Sequence, residues 1–182
     1  MIKMKKEKLN NLVFSAMFLA LGAILPFLTG QIKELGDSFL PMHLPIMLCG
    51  AICGAKYGFV TGLILPFLRS LTFGMPPLYP NAVWMALELA TYGLVIGILY
   101  SRKKEHKTLY LLFCLACSMI AGRIVWGVTK ALLLLNKENA FTINAFITGG
   151  FVDAIPGIIL QFILIPIIIG VYESLKLRGN KQ

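Results

Sequence analysis

Residues 1–28 read MIKMKKEKLNNLVFSAMFLALGAILPFL: four lysines in the first eight positions, then twenty residues, 9–28, without a single charge. A basic cap on an apolar run also opens a secretory signal peptide. This run is long, however, no small-residue cleavage site follows it, and further apolar runs come after. It reads as a retained helix, because about 20 apolar residues are what a bilayer crossing requires. Five more runs follow, over residues 41–55, 57–73, 81–100, 108–135 and 143–175. The expected fold is an all-α membrane protein, a compact bundle of six transmembrane helices forming one domain over residues 1–182. Pro66, Pro156 and Pro166 fall inside runs, where neighbouring helices can satisfy the carbonyls a proline frees.

Composition agrees. Of the 182 residues, 58% are hydrophobic and 14% charged, and the mean hydropathy is +0.80. Soluble domains carry about 45–50% apolar and about 25% charged residues. A soluble globular enzyme, a disordered tail and a disulfide scaffold are therefore excluded. The net charge of +9 raises nucleic acid as a partner, but the basic residues sit in clusters between apolar runs, so no nucleic-acid partner is expected and the partner is the lipid bilayer. With six spans the N-terminus, Lys56, the loop 101–107 and the C-terminal tail lie on one side, and they hold 12 of the 17 basic residues. That side is expected to be cytoplasmic, with both termini on it. The opposite segments, 30–40, 74–80 and 136–142, hold only Lys33 and Lys137. Residues 75–80, MPPLYP, read as a stiff, extended loop.

Five ionisable residues fall within or near apolar runs: Arg69, Glu88, Arg123, Lys130 and Asp153. Charges at such depth usually face a bundle interior or an aqueous cavity. Counted at about 1.5 Å per residue, Glu88 and Lys130 lie roughly 10 Å from their loops, Asp153 about 15 Å and Arg123 about 20 Å. Asn81, Trp84 and Glu88 share one helix face, and Arg123, Trp126 and Lys130 share another. Asp153 and Gln161, eight apart with Gly157 between them, read as a third polar stripe. Three such stripes suit a ligand pocket with aromatic walls and a few convergent polar groups. The alternative is structural ion pairing, Arg69 with Glu88 or Arg123 with Asp153. The five charges sum to +1, which favours a ligand with a carboxylate or phosphate, although Lys33, Glu34 and Asp37 bear on that balance. His43, just inside the second run, reads as a hydrogen-bonding residue of the structure or the ligand.

Small residues recur at every fourth position. Gly50, Gly54, Gly58 and Gly62 run across the turn at Lys56, and Gly93 and Gly97 add a pair; both are expected to be internal packing. Ala16 and Ala20 lie in the helix with the fewest polar residues, where the same spacing suits docking to another membrane protein. Cys114 and Cys117 form a C-x-x-C, but there is no second pair and no histidine nearby, so no metal is expected. There is no H-E-x-x-H, P-loop or nucleotide fingerprint. No enzyme activity and no cofactor are expected, and uphill transport would draw on an ion gradient or a partner.

With six short spans, the small-residue motif Ala16 and Ala20, and the run 40–50 leading to Gly54-Ala55-Lys56-Tyr57-Gly58, the chain resembles the substrate-binding subunits, or S-components, of energy-coupling factor (ECF) vitamin importers. The resemblance implies a high-affinity binding subunit for a vitamin or related micronutrient in a prokaryotic plasma membrane. It implies docking, through Ala16 and Ala20, on a transmembrane coupling protein that carries two ATP-binding subunits. The segments 30–40 and 74–80 would act as lids. Ligand groups would come from Tyr79, Asn81, Trp84, Glu88, Arg123, Trp126, Lys130 and Asp153, joined by Arg69. The competing readings are a self-sufficient, proton-coupled secondary transporter of a small organic acid, with Glu88 or Asp153 carrying the proton, and a small intramembrane enzyme using Asp153.

Overall fold

The computed structural model describes residues 2–29, 32–102, 108–134 and 142–179, and every element among them is helical. Helix α1 is Ile2–Ile24; Pro26 then tightens the chain into a 3-10 turn, Leu25–Thr29, closed by Thr29 Oγ1 donating to the Pro26 carbonyl at 2.8 Å. A short helix α2, Lys33–Phe39, ends on Leu40 in the left-handed region. Helices α3, His43–Cys53, and α4, Ala55–Phe73, are joined through Gly54 at φ 99°, which lets the chain reverse without a linker. A segment with a cis bond before Pro76 leads into a wide turn, Leu78–Ala82, which holds a second cis bond before Pro80, and then α5, Val83–Ser101. Helix α6 is Thr108–Leu134. A five-residue α7, Ile143–Ile147, passes through a second wide turn, Thr148–Val152, into α8, Ile155–Gly179. The basic stretch 103–107, most of the expected segment 136–142 and the last three residues lie outside the described set. So do the side chains of Lys33, Glu34 and Asp37.

The core gathers on α3, α4, α5 and α6, where Ile46, Met47, Leu65, Leu89, Tyr92, Ile96 and Leu115 are fully buried. Its close approach depends on glycine. A Cβ on Gly93 would lie 2.4 Å from the Gly58 carbonyl, one on Gly62 2.5 Å from the Leu89 carbonyl, and one on Gly97 2.5 Å from Ala55 Cα. The glycine series is therefore helix–helix packing among α3, α4 and α5, except for Gly54, where a Cβ would meet nothing within 4 Å and whose φ of 99° serves the turn instead. Gly93→Ala is expected to cost about 1–3 kcal/mol by overpacking against backbone that cannot yield. Thermal unfolding in detergent should show a clear fall in Tm, whereas Gly170→Ala, which meets nothing within 4 Å, should not lower it, since alanine is the better helix former.

Outside this core the molecule is apolar on its surface. Leu71, Leu109, Leu132 and Ile143 are each more than 60% exposed, as expected of a chain whose solvent is hydrocarbon. Four helical stretches are long and apolar enough to cross a membrane: Glu7–Thr29, Leu78–Ser101, Thr108–Leu134 and Ile143–Lys176. This differs from the six expected spans for identifiable reasons. Helix α3 has 11 residues, about 16 Å of rise, half a hydrocarbon core. Helix α4 has 19 residues, but Lys56, Thr61, Arg69 and Ser70 dilute it. The sixth run is not one helix, since it breaks over residues 148–154. The expected segment 30–40 is largely α2 rather than loop, and the extended loop expected over 75–80 becomes a wide turn from Leu78 onward.

Candidate functional site

At the end of the bundle where α1 and α4 finish and α5 begins, the helices enclose a cavity of about 470 Å³, within the range of small-molecule sites. The terminal turn of α1 contributes Pro26 and Thr29. Gly36 of α2 and Met75, Pro76 and Pro77 line it from the connecting segments, and residues 40–43 form a further wall at the start of α3. Eight of the nine residues expected to touch ligand line it: Arg69, Asn81, Trp84, Glu88, Arg123, Trp126, Lys130 and Asp153. Tyr79 is not among the lining residues. Its backbone is extended (φ −130°, ψ 135°), outside the register that carries Asn81, and its side chain is 64% exposed.

Glu88 is the hub of the polar wall. Its Oε1 accepts from Arg123 Nη1 at 2.9 Å and from Tyr92 Oη at 3.2 Å, and His43 Nε2 stands 3.4 Å away. All four side chains are buried. Helical spacing puts Tyr92 one turn from Glu88 on α5 and lets α6 present Arg123 opposite. The ion pair is thus Glu88–Arg123, and neither Arg69–Glu88 nor Arg123–Asp153 forms. Not every polar atom is used here. Arg123 Nη2 and both ring nitrogens of His43 lack a hydrogen-bond partner among the described residues, His43 Nε2 being only in ion-pair range of Glu88. A buried guanidinium N–H in this state is costly, so a solute with acceptor oxygens is what this wall is equipped to receive.

Arg69 plays a different part. Its Nη1 donates to the Ala23 carbonyl at 2.6 Å, its Nε to the Met75 carbonyl at 3.3 Å, and its guanidinium lies 5.6 Å from the rings of both Phe27 and Phe73. It ties the end of α1 to the rim segment while lining the cavity.

Lys130 Nζ lies 4.6 Å from the Trp126 ring and 5.4 Å from that of Trp84, and Arg123 Cζ lies 5.7 Å from Trp126. Two indoles therefore hold a cation at the wall through their quadrupoles. Gly149 and Gly150 in the second wide turn run beside Trp126; a Cβ on either would touch that indole at 3.6 and 3.4 Å. Phe146 covers Gly127 and lies with its ring tilted by 30°, 6.0 Å from that of Trp126. The turn that interrupts the sixth run thus backs the aromatic wall.

Asp153 closes that turn, two residues before α8 begins, and is exposed. A depth counted along one unbroken helix overstates its burial. The same break separates it from Gln161, which belongs to α8 and lines another cavity. One wall residue could have been added from spacing alone: Met85 lies four residues from Asn81 and three from Glu88, on the same face. His43, expected to hydrogen-bond to the structure or the ligand, also lines the cavity. Thr29 and Gly36 had no such signal. Among the described residues no cluster of His, Cys, Asp or Glu could hold a metal ion, and no disulfide joins Cys49, Cys53, Cys114 or Cys117.

A family model described as "ECF transporter, substrate-specific component" matches residues 10–169. No curated protein and no solved structure gives a significant match.

Proposed function

Because the chain belongs to the family of substrate-specific components of ECF transporters, we propose that it is the membrane-embedded, high-affinity binding subunit of an importer for a vitamin-like micronutrient carrying an acidic group. In this reading residues 1–182 form one six-helix domain with both termini in the cytoplasm of a prokaryotic cell. The subunit docks on a transmembrane coupling protein with two ATPases, and the solute occupies the 470 Å³ cavity. The observation that carries it is the buried Arg123 Nη2, without an acceptor among the described residues, beside a lysine held between two indoles. A carboxylate or phosphate answers the first, and a flat heterocycle or amide answers the second. Asp153 and Asn81 are assigned to the solute's donor groups. Transport requires that affinity differ between states, and α2 with residues 74–77 is the part of the enclosure assigned to that change.

The test is purification in detergent without added solute, followed by denaturation and mass spectrometry of what is released. The expected result is one acidic, nitrogen-containing small molecule at near-equal molar ratio, which rebinds the emptied protein. Release of nothing, with no rebinding from a panel of water-soluble micronutrients, overturns the proposal. Lys130→Ala is expected to weaken rebinding about tenfold, the loss of roughly 1.4 kcal/mol, read by isothermal calorimetry or quenching of the two tryptophans. Proteoliposomes containing this chain alone should not accumulate solute under a proton gradient; accumulation would support the proton-coupled transporter instead.

A further inference from the structure

A second cavity, of about 370 Å³, lies between the terminal turn of α1, α2 and α8, walled by leucines and Phe39. Its one polar group with an unused donor is Gln161, which is 1% exposed and whose Nε2 has no hydrogen-bond partner among the described residues. Thr29 also lines it, but the Thr29 hydroxyl proton is already given to the Pro26 carbonyl. A buried amide in apolar surroundings is costly unless something accepts from it. The occupant must therefore be hydrocarbon over most of its surface and carry an acceptor oxygen at one point.

We propose that this cavity binds one acyl chain of a bilayer phospholipid, with the ester carbonyl accepting from Gln161 Nε2. Position selects that occupant over a water-borne one. The rim residue Leu28 is 82% exposed, and Phe39 and Leu160 are about 40% exposed, so the mouth opens where the molecule presents apolar side chains to its surroundings. Leu25, Leu28 and Thr29, at the end of the apolar stretch Glu7–Thr29, line the same cavity as Gln161. Gln161 therefore lies near the level where that stretch leaves the hydrocarbon, which is where lipid esters lie, and its side chain leans toward the N-terminal end of α8.

The site has a mechanical consequence. Helix α2 separates the two cavities, with Gly36 lining the first and Leu35 and Phe39 the second. The end of α2 rests directly on α8, since a Cβ on Gly157 would fall 2.7 Å from the Phe39 backbone. An acyl chain in the second cavity supports from beneath the helix that roofs the first. The inference rests on the chain's place in a membrane and not on the identity of any solute.

The test uses the full chain in vesicles containing a trace of phosphatidylglycerol with a diazirine on its acyl chain, followed by photolysis and peptide mapping. Labelling is expected to concentrate on residues 160–164 and on α2, and to fall at least about fivefold in Leu164→Trp, which fills the cavity. Replacing the host ester lipid by its diether analogue, which lacks the competing carbonyl, is expected to raise labelling about threefold in the unaltered chain. It should have no effect in Gln161→Leu, a variant of similar volume that serves also if Leu164→Trp does not fold. Even labelling along the whole apolar surface of α8, an equal response of the two chains to host lipid, or displacement of the label by the water-soluble solute would each overturn the proposal.

Discussion

A chain carrying Ala16→Leu and Ala20→Leu is expected to bind solute with unchanged affinity in detergent and to support no uptake when expressed with the coupling protein and its ATPases. Both alanines are exposed on α1, among the exposed apolar residues Leu12, Val13 and Met17. The opposite face of that helix, with Ser15, Phe18 and Gly22, is the one buried in the bundle. Substitution therefore removes no internal contact, and neither alanine lines the cavity. What it removes is the chance for another helix to come close. Without a hydrophobic driving force between helices in lipid, association depends on close packing, which small residues four apart permit and leucine prevents. The loss of a few kcal/mol of docking energy corresponds to on the order of 100-fold or more in complex formation, measured by co-elution with the coupling protein and by uptake of labelled solute. Retained uptake, or a parallel loss of solute binding, would remove α1 as the docking strip.

The parts of the molecule legible in the sequence are those where polarity changes abruptly. The boundaries of α5 and α6 fall within a few residues of the apolar runs 81–100 and 108–135, because charges and prolines mark both ends. The α3–α4 turn falls at Gly54, two residues before the expected position at Lys56, which lies inside α4. The face-sharing sets Asn81, Trp84, Glu88 and Arg123, Trp126, Lys130 converge on one cavity, since the 3.6-residue period alone fixes which side chains share a helix face. Periodicity says nothing about which helix stands opposite, and this is why Glu88 meets Arg123 and not Arg69. Nor does hydropathy detect a break that stays apolar: Thr148–Val152 is a wide turn of Gly and hydrophobic residues inside a run that reads as continuous. Helix α2, KELGDSF, is too short and too polar to show any period, yet it separates the two cavities.

The largest effect on the site itself is expected from the Glu88–Arg123 pair, and a double substitution distinguishes its two possible duties. Glu88→Ala leaves Arg123 buried without its counter-charge and removes the acceptor for Tyr92 and the neighbour of His43. Breaking one partner of a buried pair costs about 3–5 kcal/mol, so Glu88→Ala and Arg123→Ala should each lower the unfolding temperature in detergent strongly. Replacing both by leucine removes the stranded charge as well as the pair, and buried pairs exchanged for apolar residues are often neutral or better. Most of the lost stability should therefore return in Glu88→Leu with Arg123→Leu. Solute binding should not return with it. If the unpaired Nη2 of Arg123 receives the acidic group of the solute, the double variant forfeits a charge-assisted hydrogen bond and binds at least about 30-fold more weakly, roughly 2 kcal/mol. Calorimetric titration of the stable double variant decides the matter. Affinity equal to that of the unaltered chain would mean that these buried charges serve the bundle alone and that the solute is held elsewhere.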